Sequence, residues 1–242
     1  MDWNFLIRNK ESISVSTDTR NLPAGCVFFA LHGANFDGNQ FAQQALDKGA
    51  SLVIIDDPKA FLGPQTILVP DTLKALQSLA RAWRRQWAKF PTDTPAVKRQ
   101  IIGITGTNGK TTTKELLATV LRTHYNIHFT QGNLNNSIGV PLTLLQLTRA
   151  HQLAIIEMGA SHPGDIRELV NIAEPDLGLI TNVGRAHLQG FGSFEGVMRT
   201  KAELYDFLLA HHATIFLNED NPLLVEMLSS SCHPPVRVLT KS

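Results

Sequence analysis

Short apolar runs alternate along the chain with stretches of helical spacing. Ile13 to Thr17, Cys26 to Leu31, Leu52 to Ile55 and Ile67 to Val69 read as strands. Between and after them, Phe41 to Lys48, closed by Gly49, and a stretch running from an Asp71 or Thr72 cap to about Lys89 read as helices. Phe90 to Ala96 carries two prolines and no periodicity, which predicts a boundary between residues 1–92 and 93–242. The rhythm then resumes. Strands are expected around Ile101 and over Ile127 to Thr130, Leu153 to Met158, Leu177 to Thr181 and Thr214 to Leu217. Helices are expected after Gly109, with Leu116, Leu117, Val120 and Leu121 on one face, and over Ile138 to Leu147, Asp165 to Ala173 and Phe194 to Ala210. The pattern predicts an α/β protein: a small α/β domain, then a larger one with a mostly parallel sheet covered by helices on both faces. Residues 1–12 show no clear element, and His32 to Asn39 and Asn182 to Ser193 read as loops.

The unusual polar clusters fall where strands of the second block end. They are Thr107 to Thr113, Asn133 to Ser137, Glu157 to His162 and Asn182 to His187. Ligands of open α/β sheets bind at that edge. The first cluster follows Gly106 and reads Thr107-Asn108-Gly109-Lys110-Thr111-Thr112-Thr113. It departs from the common phosphate loop, because Ile104 stands where that pattern has its first glycine. Its working parts remain: glycines that let the backbone close on anionic oxygens, a helix start with free N–H groups, a lysine and a run of hydroxyls. An ordinary glycine turn before a helix would account for the glycines but not for the lysine and three threonines. Glu157 ends an apolar run, where a carboxylate needs a partner, either a nearby cation or a phosphate-bound magnesium. His187 lies in a Gly-rich loop and suits a metal ligand or a polar support equally. Lys201, taken alone, reads as a solvated helix lysine.

Composition narrows the field. Net charge is +1, with 43% hydrophobic and 18% charged residues, which supports a sizeable core and gives no global signal for nucleic acid. Arg81, Arg84, Arg85 and Lys89 do accompany Trp83 and Trp87, but the tryptophans lie four apart on one packing face, with the arginines expected toward solvent. The two cysteines, Cys26 and Cys232, have no metal spacing and read as free thiols. No stretch is long enough to span a bilayer and no secretory signal is seen, so a cytoplasmic protein is expected.

Together, GTNGKTTTKELLATVL, GNLNNSIGVPLTLLQL, IIEMGASHPGDI and TNVGRAHLQGFGSFEGVMRTKAELYDFL resemble the Mur ligase family. In the first block STDTR and GCVFFALHGANFDGNQFAQQALDKGA are similar to the same family. The resemblance implies an N-terminal UDP-binding domain followed by a central P-loop-type ATPase domain. It implies an ATP- and Mg2+-dependent ligase that activates the C-terminal carboxylate of UDP-N-acetylmuramoyl-tripeptide as an acyl phosphate and joins it to D-alanyl-D-alanine. Gly106, Thr107, Asn108, Gly109, Lys110, Thr111 and Thr112 would bind the nucleotide. Lys110, His187 and Lys201 would be catalytic, and Thr111, Glu157, His187 and a carbamylated Lys201 would serve the metal. Thr17, Asp18, Thr19 and Arg20, with Asn135, Asn136 and Ser137, would face the sugar-nucleotide peptide. Asn39 stands where a histidine is common in the family.

The resemblance also implies a chain that ends inside the central domain, before a C-terminal domain, and hence a fragment with little ligation of its own. A monomer is expected. A sister ligase that adds a single amino acid, a folyl-peptide ligase and a nonenzymatic UDP-nucleotide-binding module are the alternatives.

Overall fold

The computed structural model describes residues 1–33, 36–92, 98–185, 188–230 and 238–239. In chain order its elements are α1 (Asn4–Ile7), β1 (Val15–Ser16), β2 (Val27–Phe29), β3 (His32–Gly33), β4 (Phe36–Asp37), α2 (Ala42–Asp47), β5 (Leu52–Ile55), β6 (Thr66–Leu68) and α3 (Thr72–Trp87). There follow β7 (Gln100–Thr105), α4 (Lys110–Leu121), β8 (Ile127–Phe129), α5 (Gly139–Leu145), β9 (Leu153–Glu157), α6 (Asp165–Ala173), β10 (Leu177–Ile180), α7 (Leu188–Phe191), α8 (Phe194–Ala210), β11 (Thr214–Phe216), α9 (Pro222–Ser229) and β12 (Val238–Leu239).

Among the described residues two parallel sheets result. The first has four strands in the order β1-β2-β5-β6, and the second six in the order β12-β11-β10-β7-β9-β8. All their pairings are parallel. The loop expected over His32 to Asn39 contains the antiparallel pair β3–β4 and a 3-10 turn, Gly38–Phe41. The loop expected over Asn182 to Ser193 contains the short helix α7.

Strand alternation sorts the larger sheet's two faces. Ile102, Ile104, Ile127, Phe129 and Ile155 pack against Ala118 and the half-buried Leu117 and Leu121 of α4. Ile101, Ala154, Ile156 and Ile180 join the core built with α5, α6 and α8. Expectation fails on α4: Leu116 and Val120 are 64% and 65% exposed, while Lys114 is buried. The helix is rotated so that a charged residue, not two apolar ones, faces the sheet.

Helix α3 ties the sheets together. Asp71 caps it by accepting from Lys74 N–H. Trp83 and Trp87 are fully buried and donate their indole N–H groups to the carbonyls of Leu147 and Thr148, just past α5. Arg84 was expected toward solvent. It is buried instead, because its guanidinium donates to the Ala173 and Glu174 carbonyls at the end of α6 and to Asp176. A cation there satisfies carbonyls that the helix leaves unpaired. Arg81 and Arg85 both face Glu174. The basic residues of α3 are thus engaged within the molecule. Residues 1–12 join the same core: Trp3 is 2% exposed and donates to Ser78. Cys26 is a buried free thiol, and Cys232 lies outside the described residues. Among the described residues no helix is long and apolar enough to cross a membrane.

The histidine of β8 is expected to make the fold acid-sensitive. His128 contacts the Thr143 carbonyl at 3.0 Å, and its ring lies 5.1 Å from that of His151. Burial, reinforced by His151, pushes its pKa down to about 4. An unfolded histidine titrates near 6.5. Between those values the unfolded chain binds a proton that the folded one refuses, so stability falls as pH drops from about 6.5 toward 4. His128→Gln should flatten this part of the pH dependence in urea titrations. An unchanged slope would show that His128 is not responsible.

Candidate functional site

The site is assembled at the C-terminal ends of β7 and β9. After β7 the chain turns through Gly106 to Gly109 into α4. Gly109, with φ of 78°, is the N-cap of α4 and supplies no side-chain cap, which leaves the first N–H groups to another acceptor. The turn is braced from the loop after β10. The Asn182 carbonyl accepts from Thr107 N–H, and its amide exchanges hydrogen bonds of 3.0 Å with both backbone groups of Asn108. The Thr181 hydroxyl donates to the Asn108 carbonyl at 2.6 Å. Lys110 curls back over this turn and donates to the carbonyls of Gly106, 2.8 Å, and Thr107, 3.1 Å. Burial lowers its pKa, and the Glu157 carboxylate partly restores it.

Glu157, at the end of β9, is 2% exposed. One carboxylate oxygen accepts from the Thr111 hydroxyl at 3.0 Å and the other from the Asn135 amide at 2.9 Å. Lys114 lies 3.8 Å away. Lys110, Asn135, Asn136 and Ser137 line a cavity of about 410 Å³ with Gly159 to His162, Asp165 and Glu168. The structure thus brings together Lys110, Thr111, Asn135 and Glu157, which the sequence scatters over 48 positions (110 to 157).

Lys201 belongs to the same neighbourhood. It is 3% exposed on α8, with its ammonium 5.9 Å from the Phe191 ring. Burial first, then repulsion from Lys110, pushes its pKa down to about 8, against the pull of Asp165 and Glu203. The solvated lysine that the sequence alone suggests is therefore not what the fold builds. His187 lies outside the described residues.

Sequence reasoning missed three supports. Lys114 fills the buried face of α4. Thr130 accepts from Glu157 N–H through its hydroxyl and from Lys114 through its carbonyl. Glu203, from α8, accepts from the N–H groups of Gly164 and Arg167 and so fixes the start of α6 beside the cavity. Each depends on a partner distant in sequence, so no local motif marks it.

A second cavity, about 760 Å³, lies where β2, β5 and β6 end, lined by His32, Phe36, Asn39, Phe41, Asp56 and Asp57 among others. Asn39 is its clasp. Its amide nitrogen donates to Asp37 and Asp56, and its oxygen accepts from the N–H groups of Asp56 and Asp57. Thr17, Asp18, Thr19 and Arg20 line neither of these two cavities. Arg20 closes on Asp18, whose carboxyl it holds down at about 2. Thr19 donates to Gln44.

With this geometry in view, two family models match the chain. Residues 104–242 match the Mur ligase middle domain, and residues 13–84 match the Mur ligase family, catalytic domain. The chain belongs to the Mur ligase family. Its curated relatives include the UDP-N-acetylmuramoyl-tripeptide–D-alanyl-D-alanine ligases of Synechocystis sp. (strain ATCC 27184 / PCC 6803 / Kazusa) and Bacillus subtilis (strain 168). The first is 46% identical over 88% of this chain and 45% of the relative, and the second 41% over 87% and 44%. Among solved structures, MurF from Acinetobacter baumannii superposes with a TM-score of 0.80 at 32% identity, over 94% of this chain and 47% of that one. The MurF ligase from Thermotoga maritima in complex with ADP gives 0.81 at 31%, over 95% and 50%. The chain spans about half the length of the curated relatives it matches. The two parallel sheets and their order of appearance are those of a MurF-type Mur ligase.

Proposed function

We propose that this chain is the sugar-nucleotide-binding and ATP-binding part of a MurF-type ligase, which joins D-alanyl-D-alanine to UDP-N-acetylmuramoyl-tripeptide. Residues 1–92 form the first module and residues 93–242 the second. One observation carries the reading: Lys110 of a phosphate-type loop lines a cavity with Asn135, and the buried Glu157 carboxylate accepts from Asn135 and from Thr111 of that same loop, which puts a lysine and a metal-binding carboxylate at one loop.

Thr111 and Glu157 would hold the nucleotide's magnesium, with Lys201, if carbamylated, and His187 beside them. The oxygen donors fit: magnesium takes one or two carboxylates plus phosphate oxygens and water rather than a full protein cage. Accordingly, among the described residues no cluster of three or more His, Cys, Asp or Glu side chains is needed or found. The metal would neutralise charge on the transferring phosphoryl group. The chain's own groups do the rest. N–H groups at the start of α4 and the Lys110 ammonium orient the β- and γ-phosphates. Asn135, Asn136 and Ser137 orient the peptide end without adding charge. The substrate carboxylate takes the γ-phosphoryl group and ADP departs. The amine of D-alanyl-D-alanine attacks the acyl carbon, and the tetrahedral adduct expels phosphate to leave the amide. A lysine with a pKa near 8, such as Lys201, keeps a usable neutral fraction at physiological pH, and carbon dioxide adds to the neutral amine.

The cavity beside Asn39 suits the nucleoside end. Asp37 and Asp57 offer acceptors for base and ribose donors, while Asp56 is taken up by Asn39 and Thr72, and Phe36 and Phe41 stack at 5.5 Å to form an aromatic wall. A plain ATPase would leave this cavity without a purpose.

Calorimetry of the chain with magnesium-ATP and with UDP-N-acetylmuramoyl-tripeptide should show saturable binding of each. A folded chain that binds neither would overturn the assignment.

A further inference from the structure

Lys114 is a buried cation that the reaction outlined above does not use. It is 1% exposed, on the face of α4 turned to the sheet. Its ammonium donates to the Thr130 carbonyl at 2.7 Å, lies 3.3 Å from the exposed Glu115 and 3.8 Å from the Glu157 carboxylate, and sits 5.6 Å from the Phe129 ring centre. Burying a lysine is costly unless it has partners. A leucine or methionine would fill this position against Phe129 more cheaply. What the ammonium adds is a fixed positive charge behind Glu157.

The arrangement forms a closed frame. Thr130 holds both ends: its hydroxyl accepts from Glu157 N–H at 2.9 Å and its carbonyl accepts from Lys114. Thr111 and Asn135 donate to one carboxylate oxygen each. Lys114, buried on the sheet-facing side of α4, lies 3.8 Å from the carboxylate oxygen that Thr111 also meets. We propose that Lys114 is a positioning residue that locks the Glu157 carboxylate in the orientation required by the magnesium-bound nucleotide. This rests on the assignment of Glu157 to the metal–nucleotide site.

Two effects of the ammonium compete. At this range it repels a second cation, which weakens metal binding. It also removes the carboxylate's freedom to rotate or to pair elsewhere, which strengthens it. Partners that orient a metal ligand are typically worth about 10- to 100-fold in metal affinity, so orientation is expected to win.

A double-mutant cycle separates the possibilities. Affinity of the chain for ATP is measured with magnesium and with EDTA, for the unaltered protein, Lys114→Met, Glu157→Gln and the double variant. Lys114→Met should weaken magnesium-ATP binding about tenfold or more and leave metal-free ATP binding within about threefold. On the Glu157→Gln background the same change should add less than about threefold. Lys114→Arg, which retains charge, should restore much of the binding, and it serves as the test if the methionine variant does not fold. Tighter magnesium-ATP binding in Lys114→Met, equal losses with and without metal, or equal losses on both backgrounds would overturn the proposal. So would an arginine variant that binds magnesium-ATP no better than the methionine one, or, where the methionine variant does not fold, one that loses tenfold or more. If Glu157→Gln itself leaves magnesium-dependent binding intact, the failure belongs to the metal–nucleotide site assignment and Lys114 falls with it.

Discussion

Lys110→Ala should weaken magnesium-ATP binding by roughly 10- to 100-fold, the worth of a charge-assisted hydrogen bond or two. In the proposed ligation it should slow phosphoryl transfer by on the order of 10²- to 10³-fold, since the lost donor faces charge that develops during transfer. Among the described residues the Lys110 ammonium donates to the carbonyls of Gly106 and Thr107, two neutral acceptors within its own turn. Phosphate oxygens are stronger acceptors for the same donor. Exchange of carbonyl for phosphate therefore favours binding, and alanine has nothing to exchange. Lys110→Arg keeps the charge but changes its shape and reach, so it should recover only part of the affinity. Direct titration of a fluorescent ATP analogue would measure both. An alanine variant within threefold of the unaltered chain would remove Lys110 from the nucleotide site.

Gly106→Ala should destabilise the chain by about 3 kcal/mol or more and abolish nucleotide binding. Gly106 has a φ of 143°, in the region that favours glycine, and an added Cβ would lie 2.0 Å from the Thr181 hydroxyl and 3.1 Å from the Asn182 carbonyl. Thr181 cannot simply turn aside, because its hydroxyl is bonded to the Asn108 carbonyl on the far side of the turn. Either the turn opens or β10 shifts, and both displace the N–H groups that would meet phosphate. Adding Thr181→Ala should recover part of the stability, because it removes the closest contact. It should not recover binding, because the backbone strain and the Asn182 contact persist. Urea midpoints with parallel ATP titrations would test this. A Gly106→Ala chain that is as stable as the parent would contradict the geometry of the turn.

The two blocks, most elements and the edge of the sheet that carries the site could all be read from the chain, because they follow from local alternation and from polar residues gathered at strand ends. The failures have a common physical cause. On α4, apolar periodicity pointed to Leu116 and Val120 as inward positions, yet Lys114 is buried there because Glu157, 43 positions away, supplies its counter-charge. On α3, Arg84 is buried because the end of α6 offers unpaired carbonyls. Lys201 looked solvated because nothing nearby in sequence shows that α8 turns it inward. Periodicity reports what a helix prefers alone; a buried charge reports what it meets. The role of Thr17 to Arg20 rests on motif resemblance, and the fold satisfies Thr19 with Gln44 of α2 and Arg20 with Asp18 of its own loop.

Helix α3 begins at one cavity and passes the other. Thr72 bonds Asp56 at the first, while Gln77, five residues on, bonds Ser137 and Glu168 at the second, a rise of about 7.5 Å along the axis. The tryptophans and Arg84 pin the remainder of the helix to α5 and α6. The gap between the two chambers is therefore gauged by an unbroken rod rather than by a hinge. For a molecule that engages both at once, this fixed spacing would make length itself a criterion of fit.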